Sequence, residues 1–209
     1  LLGLPRPQRF ETVRGAQVRH PVQQAGEVSG HVGVPGVGVD QVGAGHLPGA
    51  VIVVGRHDHI LYREAFGTLK SGAEAVRPDT IFDLASLTKV IATTTAVLQL
   101  GEAGKLDLAA PAARYWPEFA AHGKGKITVG QLLAHSSGLR ADLDLTQPWS
   151  GRRAALKRIL AEKPVNEPGR QVLYSDINFA VLGELVERVS GERLDHYGLR
   201  HIFAPLGMK

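Results

Sequence analysis

Ser86-Leu87-Thr88-Lys89 sets a hydroxyl and an amine three residues apart at the head of a helix-like run over residues 86 to 100. In a helix such a pair shares one face and is separated by roughly 4.5 Å of rise. A serine hydroxyl becomes a nucleophile when a neighbouring base takes its proton, and a desolvated, neutral lysine can be that base. The chemistry served by this spacing is nucleophilic attack by an activated hydroxyl. The same four residues also fit a plainer role, with Ser86 capping a helix and Lys89 in solvent. A Ser-x-x-Lys tetrad occurs by chance about once in a chain of this length.

The helix that would carry the pair has an apolar stripe of Val90, Ile91, Val97, Leu98 and Leu100, with Gly101 or Gly104 to end it. A helix of that kind is largely buried, so Lys89 is expected to be partly desolvated. Burial pushes a lysine down from its free value of about 10.4, towards the neutral form a base needs. A second helix start lies at Tyr174-Ser175-Asp176, delivered by the Pro168-Gly169 turn and an extended stretch to Leu173. Ile177, Ala180, Val181, Leu185 and Val189 give that helix its buried face and Gly191 its cap. Taken alone, Tyr174 also reads as a core tyrosine with a satisfied hydroxyl, and Ser175 or Asp176 as an N-cap.

Before Ser86, the β-branched run 50 to 54 and the run 60 to 66 flank a short polar link, which is the signature of a β-hairpin. His57-Asp58-His59 falls at the tip of that hairpin and reads as turn residues rather than a metal pair. Between the two helix starts, Thr128 is expected to cap a short helix over 129 to 134, and residues 152 to 162 form an amphipathic helix closed by Pro164. His135-Ser136-Ser137-Gly138-Leu139 contains a histidine next to serines, but G-x-S-x-G is absent, so His135 is expected to be a hydrogen-bonded structural residue. A last helix is expected over about 193 to 203.

Composition narrows the classes. Apolar content of 44% with 21% charged residues suits a globular domain, and a net charge of +4 from scattered basic residues gives no nucleic-acid stripe. Six per cent aromatics gives no stacking surface for bases. The absence of cysteine excludes disulfides and thiolate metal sites but leaves the compartment open. No apolar run approaches the roughly 20 residues of a membrane span. The chain begins at Leu1, which leaves room for an earlier signal peptide, so secreted, periplasmic and cytoplasmic locations all stay open. Residues 1 to 40 carry Arg6, Arg9, Arg14 and Arg19 among Gly, Pro, Val and Gln with no apolar period, and read as a disordered or non-native leader. Its basic residues leave a minor reading as a binder of acidic surfaces. Gly36 and Gly38 do not begin a dinucleotide fingerprint, because Gln41 stands where the third glycine belongs.

The ordered blocks His46-Leu47-Pro48-Gly49-Ala50, Ser86-Leu87-Thr88-Lys89, residues 133 to 139, Pro168-Gly169, Tyr174-Ser175-Asp176, Val189-Ser190-Gly191 and Pro205-Leu206-Gly207-Met208 together resemble the serine β-lactamase and penicillin-binding-protein superfamily. The likeness is to its class C-like esterase and D-aminopeptidase branch, from about residue 45 to the end. It implies an α+β, β-lactamase/transpeptidase-like fold: an antiparallel sheet flanked by helices plus an all-helical region, with residues 41–209 as an N-terminal part truncated at its C-terminus. It implies Ser86 as the nucleophile, Lys89 and Tyr174 sharing the proton transfers with Tyr174 as base, and the Ser86 N–H as half of an oxyanion hole. The substrate implied is a small acyl compound, an ester, a β-lactam or a D-amino-acid peptide, with no cofactor and no metal.

Two departures from that family pattern carry weight. The second motif is usually Tyr-x-Asn, and here Asp176 takes the asparagine's substrate-binding place; an ionised carboxylate only accepts hydrogen bonds, which favours esters over amides. Asn178 lies two residues further on and need not substitute for it. The third motif, a basic residue and glycine on a downstream strand, does not follow in these residues. A non-catalytic member of the family, binding without turnover, is therefore the rival to a serine hydrolase.

Overall fold

A computed structural model describes residues 42–70, 74–144, 146 and 148–208. The leader reading of residues 1–40, with Arg6, Arg9, Arg14, Arg19 and the Gly36–Gly38 stretch, lies outside the described residues. The chain divides into two compact units at the Phe82–Asp83 junction.

The first unit holds the predicted hairpin, extended slightly at each end. Strand β1 (Gly49–Arg56) pairs antiparallel with β2 (His59–Gly67), with Val51 opposite Ala65 and a register shift at Val54/Gly55. His57 and Asp58 make the turn, His57 with φ 56°. The His59 ring lies 3.2 Å from the Asp58 carboxylate there, both exposed. Arg63 reaches from β2 to donate to the carbonyl of Pro78 at 2.6 Å.

The second unit is helical. A π-helical segment, Lys89–Thr94, runs directly into α1 (Thr95–Glu102). Then follow α2 (Val129–Leu133), α3 (Gly151–Ala161), α4 (Asp176–Ser190) and α5 (Leu194–Gly198), the last continued by a π-helical turn, Leu199–Phe203. Short 3₁₀ turns, Ala112–Arg114 and Pro117–Gly123, lie between α1 and α2. Thr128 caps α2 as expected, and more fully: its hydroxyl accepts from the Gln131 N–H while the Gln131 side chain accepts from the Thr128 N–H. Gly191 ends α4 in the left-handed conformation, with φ 77°. No helix among the described residues is long and apolar enough to cross a membrane.

The core gathers around α1, α2 and α4: Val97, Leu100, Trp116, Phe119, Ile127, Leu132, Ile177, Leu182 and Leu185 are all buried. Each side chain of this size contributes on the order of 2 kcal/mol through removal from water. Two of the expected helix faces are corrected here. On the first helix, Ala92, Thr93, Ala96, Val97 and Leu100 face inward, while Val90 (63% exposed) and Leu98 (45%) face out. The inward residues recur at intervals of three and four, the ordinary helical period, so the helix buries a face that carries Ala and Thr as well as Val97 and Leu100. On α4, Ala180 is exposed and Leu182 and Val186 take its place inside.

A lysine holds the kinked 117–123 segment onto the end of α3. Lys124 is fully buried, and its ammonium donates to the carbonyls of Ala121 (2.8 Å), Leu160 (2.8 Å) and Glu162 (2.6 Å). Those three bonds use all three of its donors. Two of the acceptors are carbonyls at the C-terminus of α3, where a cation is favoured. Burial pushes Lys124 below the ordinary lysine range, and the Glu162 carboxylate pulls it back. Glu162 in turn forms a two-pronged ion pair with Arg140, at 2.7 and 2.8 Å. Replacing Lys124 by Met keeps the stem and strands three carbonyls, so Lys124→Met is expected to lower unfolding free energy by about 2–4 kcal/mol in urea titration.

Candidate active site

The polypeptide reaches Ser86 through a bend at Ala85, whose φ of 43° is left-handed. For a residue with a Cβ that conformation costs about 1 kcal/mol or more. The Asp83 carboxylate accepts the Ala85 N–H at 2.8 Å and holds the bend. Two turns follow, Thr88 N–H to Ala85 O at 3.0 Å and Lys89 N–H to Ser86 O at 3.0 Å. Ser86 stands exposed at the top of this bend, and Lys89 begins the π-helical segment one turn below.

The partner segment is strapped onto the loop that follows α2. His135 takes a left-handed conformation, φ 54°, and Gly138 another, φ 79°. At Gly138 a Cβ would lie 2.1 Å from the carbonyl of Asn166, so only glycine fits. Four hydrogen bonds then tie residues 173–176 to this loop. Leu173 N–H donates to His135 O (2.8 Å), Ser175 N–H to His135 Nδ1 (2.9 Å), Ser175 Oγ to Arg140 O (2.7 Å) and Asp176 N–H to Ala141 O (2.7 Å). Ser175 is the N-cap of α4, accepting from the Asn178 N–H. Asn178 points into the interior, where its Oδ1 accepts from the buried Ser137 hydroxyl at 2.6 Å. Its side chain is thus part of the packing under the site and does not stand in for the asparagine of a Tyr-x-Asn motif.

These two entrances bring Ser86, Lys89, Tyr174 and Asp176 together. Lys89 Nζ donates to Ser86 Oγ at 3.2 Å and lies 2.7 Å from Asp176 Oδ1. The Tyr174 hydroxyl interacts electrostatically with both the Lys89 ammonium and the Ser86 side chain. The ammonium sits 5.2 Å from the centre of the Tyr174 ring and 5.9 Å from that of Phe179. Lys89 is therefore not the solvated lysine of the plain reading: its side chain is 16% exposed, and the N-cap position of its helical segment is Thr88, not Ser86. Asp176 remains half exposed, at the first turn of α4, where a carboxylate is favoured.

The electrostatics correct one expectation. Lys89 is raised above the ordinary lysine range, chiefly because the Asp176 carboxylate accepts its proton bond, with Tyr174 adding to this; burial acts the other way and loses. The lysine is an ammonium here, not a neutral base. Tyr174 is lowered below the ordinary value of 10.0, first by the hydrogen bond from Ser86 and then by that from Lys89, with Asp176 opposing. His135 is lowered from 6.5 by burial first and by the Lys89 charge second, again with Asp176 opposing.

These directions predict a titration readable by ultraviolet absorbance. Tyr62 and Tyr197 are raised and Tyr174 lowered, so one of the four tyrosines is expected to ionise ahead of these two, and Tyr174→Phe to remove that early phase. Asp176→Asn removes the charge that holds Tyr174 up, and is expected to move the early phase to still lower pH. The same change removes the main cause that raises Lys89, so the ammonium is lost at lower pH than in the parent.

Comparison with known proteins comes down on one family. Residues 27–209 match the family model described as Beta-lactamase. The N-acetylmuramyl-L-alanine amidase of Bacillus subtilis (strain 168) is 34% identical over 187 residues, spanning 79% of this chain and 42% of that protein. Among solved structures, EstCE1, a hydrolase with promiscuous acyltransferase activity, superimposes with a TM-score of 0.69 at 27% identity, over 81% of this chain and 49% of that one. The octameric penicillin-binding protein homologue from Pyrococcus abyssi superimposes with a TM-score of 0.68 at 25% identity, over 81% and 41%. The chain spans about two-fifths of the length of the curated relatives it matches.

Proposed function

The chain belongs to the beta-lactamase family and has the β-lactamase/transpeptidase-like fold, and on that premise we propose that it is a serine acyl hydrolase working through an acyl-enzyme at Ser86. The observation that carries this reading is the Lys89 ammonium bonded to Ser86 and Asp176 and set beside the Tyr174 ring. An ammonium has no lone pair with which to accept a proton, so the base is the Tyr174 phenolate that the ammonium favours.

The steps balance as follows. Tyr174 takes the Ser86 hydroxyl proton as Oγ bonds to the acyl carbon, and the carbonyl electron pair moves onto oxygen. The Ser86 backbone N–H, at the head of the helix, is one donor to that oxyanion. Collapse expels the leaving group, which takes the proton from Tyr174 and leaves Ser86 acylated. A water, deprotonated by Tyr174, then releases the acid and restores Ser86. Lys89 remains charged throughout and stabilises the phenolate.

The substrate class proposed is a small ester in preference to an amide or β-lactam. Asp176, ionised and paired with Lys89, offers lone pairs where an asparagine would offer an N–H₂ donor to an acyl-side amide. Acyl transfer is also the theme of the relatives, which include an amidase and a hydrolase with acyltransferase activity.

The test uses the 209-residue chain with a fluorescent fluorophosphonate and a fluorescent penicillin. Ser86→Ala is expected to abolish labelling by both, and Tyr174→Phe to slow it by about 10²–10⁴-fold. Labelling that survived Ser86→Ala would take the nucleophile's role from Ser86. A folded parent chain that took neither probe would favour a family member that binds acyl compounds without turning them over.

A further inference from the structure

One ring in the site takes no part in the steps above. His135 lies between Tyr174 and Phe179, its centre 4.5 Å from the Tyr174 ring at 28° and 5.1 Å from the Phe179 ring at 34°. It also grips the chain on both sides of Tyr174: its carbonyl accepts from the Leu173 N–H and its Nδ1 from the Ser175 N–H. Tyr174 is half exposed, so these contacts are what fix the direction of a side chain that solvent would otherwise leave free to swing.

We propose that His135 is a positioning residue for Tyr174: its imidazole, with the proton on Nε2 and a lone pair on Nδ1, sets the phenol against Ser86 and Lys89. The proposal rests on the reading of Tyr174 as the base. The tautomer follows from the geometry, because Nδ1 accepts a backbone N–H and the remaining proton of a neutral imidazole must sit on the other nitrogen.

A consequence for pH follows from the same bond. Imidazolium carries a proton on both nitrogens, so a protonated His135 points an N–H at the Ser175 N–H, and two donors cannot bond. The charged and titratable groups facing the ring are Lys89 from the π-helical segment, with Tyr174 and Asp176 from the start of α4. Burial is the main opposition to a charge on the ring, the Lys89 cation adds to it, and Asp176 acts the other way. The ring therefore stays neutral near pH 7 and protonates only below the ordinary histidine range, releasing Ser175 and with it Tyr174.

Two variants separate this role from packing. His135→Asn suits the left-handed backbone, since asparagine is enriched there, and keeps an acceptor while losing the ring and its titration. His135→Phe keeps the stacked ring and loses the acceptor. Three readouts are taken on the full chain against pH: ring and amide nitrogen shifts by NMR, the ultraviolet titration of Tyr174, and the rate of fluorophosphonate labelling. The parent is expected to show an Nε2–H tautomer, with the Ser175 amide moving at the same midpoint as the ring and labelling falling on the acid side of that midpoint. In both variants Tyr174 is expected to titrate closer to the ordinary tyrosine value, and labelling at neutral pH to fall at least tenfold. In His135→Asn the acid limb at the parent's midpoint should vanish. An Nδ1–H tautomer in the parent, or variants that lose thermal stability while leaving the Tyr174 titration and the acid limb in place, would overturn the proposal. A parent that takes no label at all would instead sink the acyl-transfer reading, and the tautomer and Tyr174 titration would still decide the role of His135.

Discussion

A single ammonium ion organises this protein. Lys89 donates to a hydroxyl and a carboxylate from two separate helix entrances and lies 5.2 Å from the centre of the Tyr174 ring. A cation held that way is favoured far more than one left half-buried without partners, and the pairing fixes the charge of everything around it. After the Ser86 bond the ammonium adds to the lowering of Tyr174, after burial it adds to the lowering of His135, and it pairs with Asp176. Losing that ammonium would change three other groups at once.

The rest of the second unit serves to bring the two entrances to the same place. The first is a strained bend at Ala85, steadied by Asp83. The second is a strap of four hydrogen bonds between residues 173–176 and the loop after α2. Beneath the strap lie buried polar side chains, Ser137, Ser175 and Asn178, bonded to one another and to nearby backbone. These bonds hold one arrangement, because breaking them would strand further groups in a region of low dielectric where Asn178 Nδ2 is already without a partner. The Arg140–Glu162 pair and Lys124 extend the same support to the end of α3.

Much of this was legible in the sequence. The hairpin showed in its two β-branched runs, α4 in its Ser175 start and Gly191 stop, and the gathering of Ser86, Lys89 and Tyr174 in ordered motifs. What escaped depends on contacts between residues distant along the chain. The charge on Lys89 was misjudged because burial was visible from the apolar pattern around it, whereas the Asp176 contact that overrides burial is tertiary. The outward turn of Val90 and Leu98 was hidden because the buried face runs through Ala92, Thr93 and Ala96, small or polar residues that an apolar stripe does not pick out. Gly138 announces a left-handed residue; Ala85, in a similar conformation, does not. Lys124, flanked by Gly123 and Gly125, looks like any solvated loop lysine until the carbonyls at the end of α3 close around it.

That last residue gives the scaffold a built-in reporter. An amine with no accessible surface is shielded from acylating reagents for as long as the 117–123 segment stays against α3. Its modification would therefore count openings of the scaffold, not collisions at the surface. Surface lysines such as Lys105 and Lys157 would react at once and mark the total exposure to reagent. The ratio of the two would follow local unfolding beneath the site without any need for turnover.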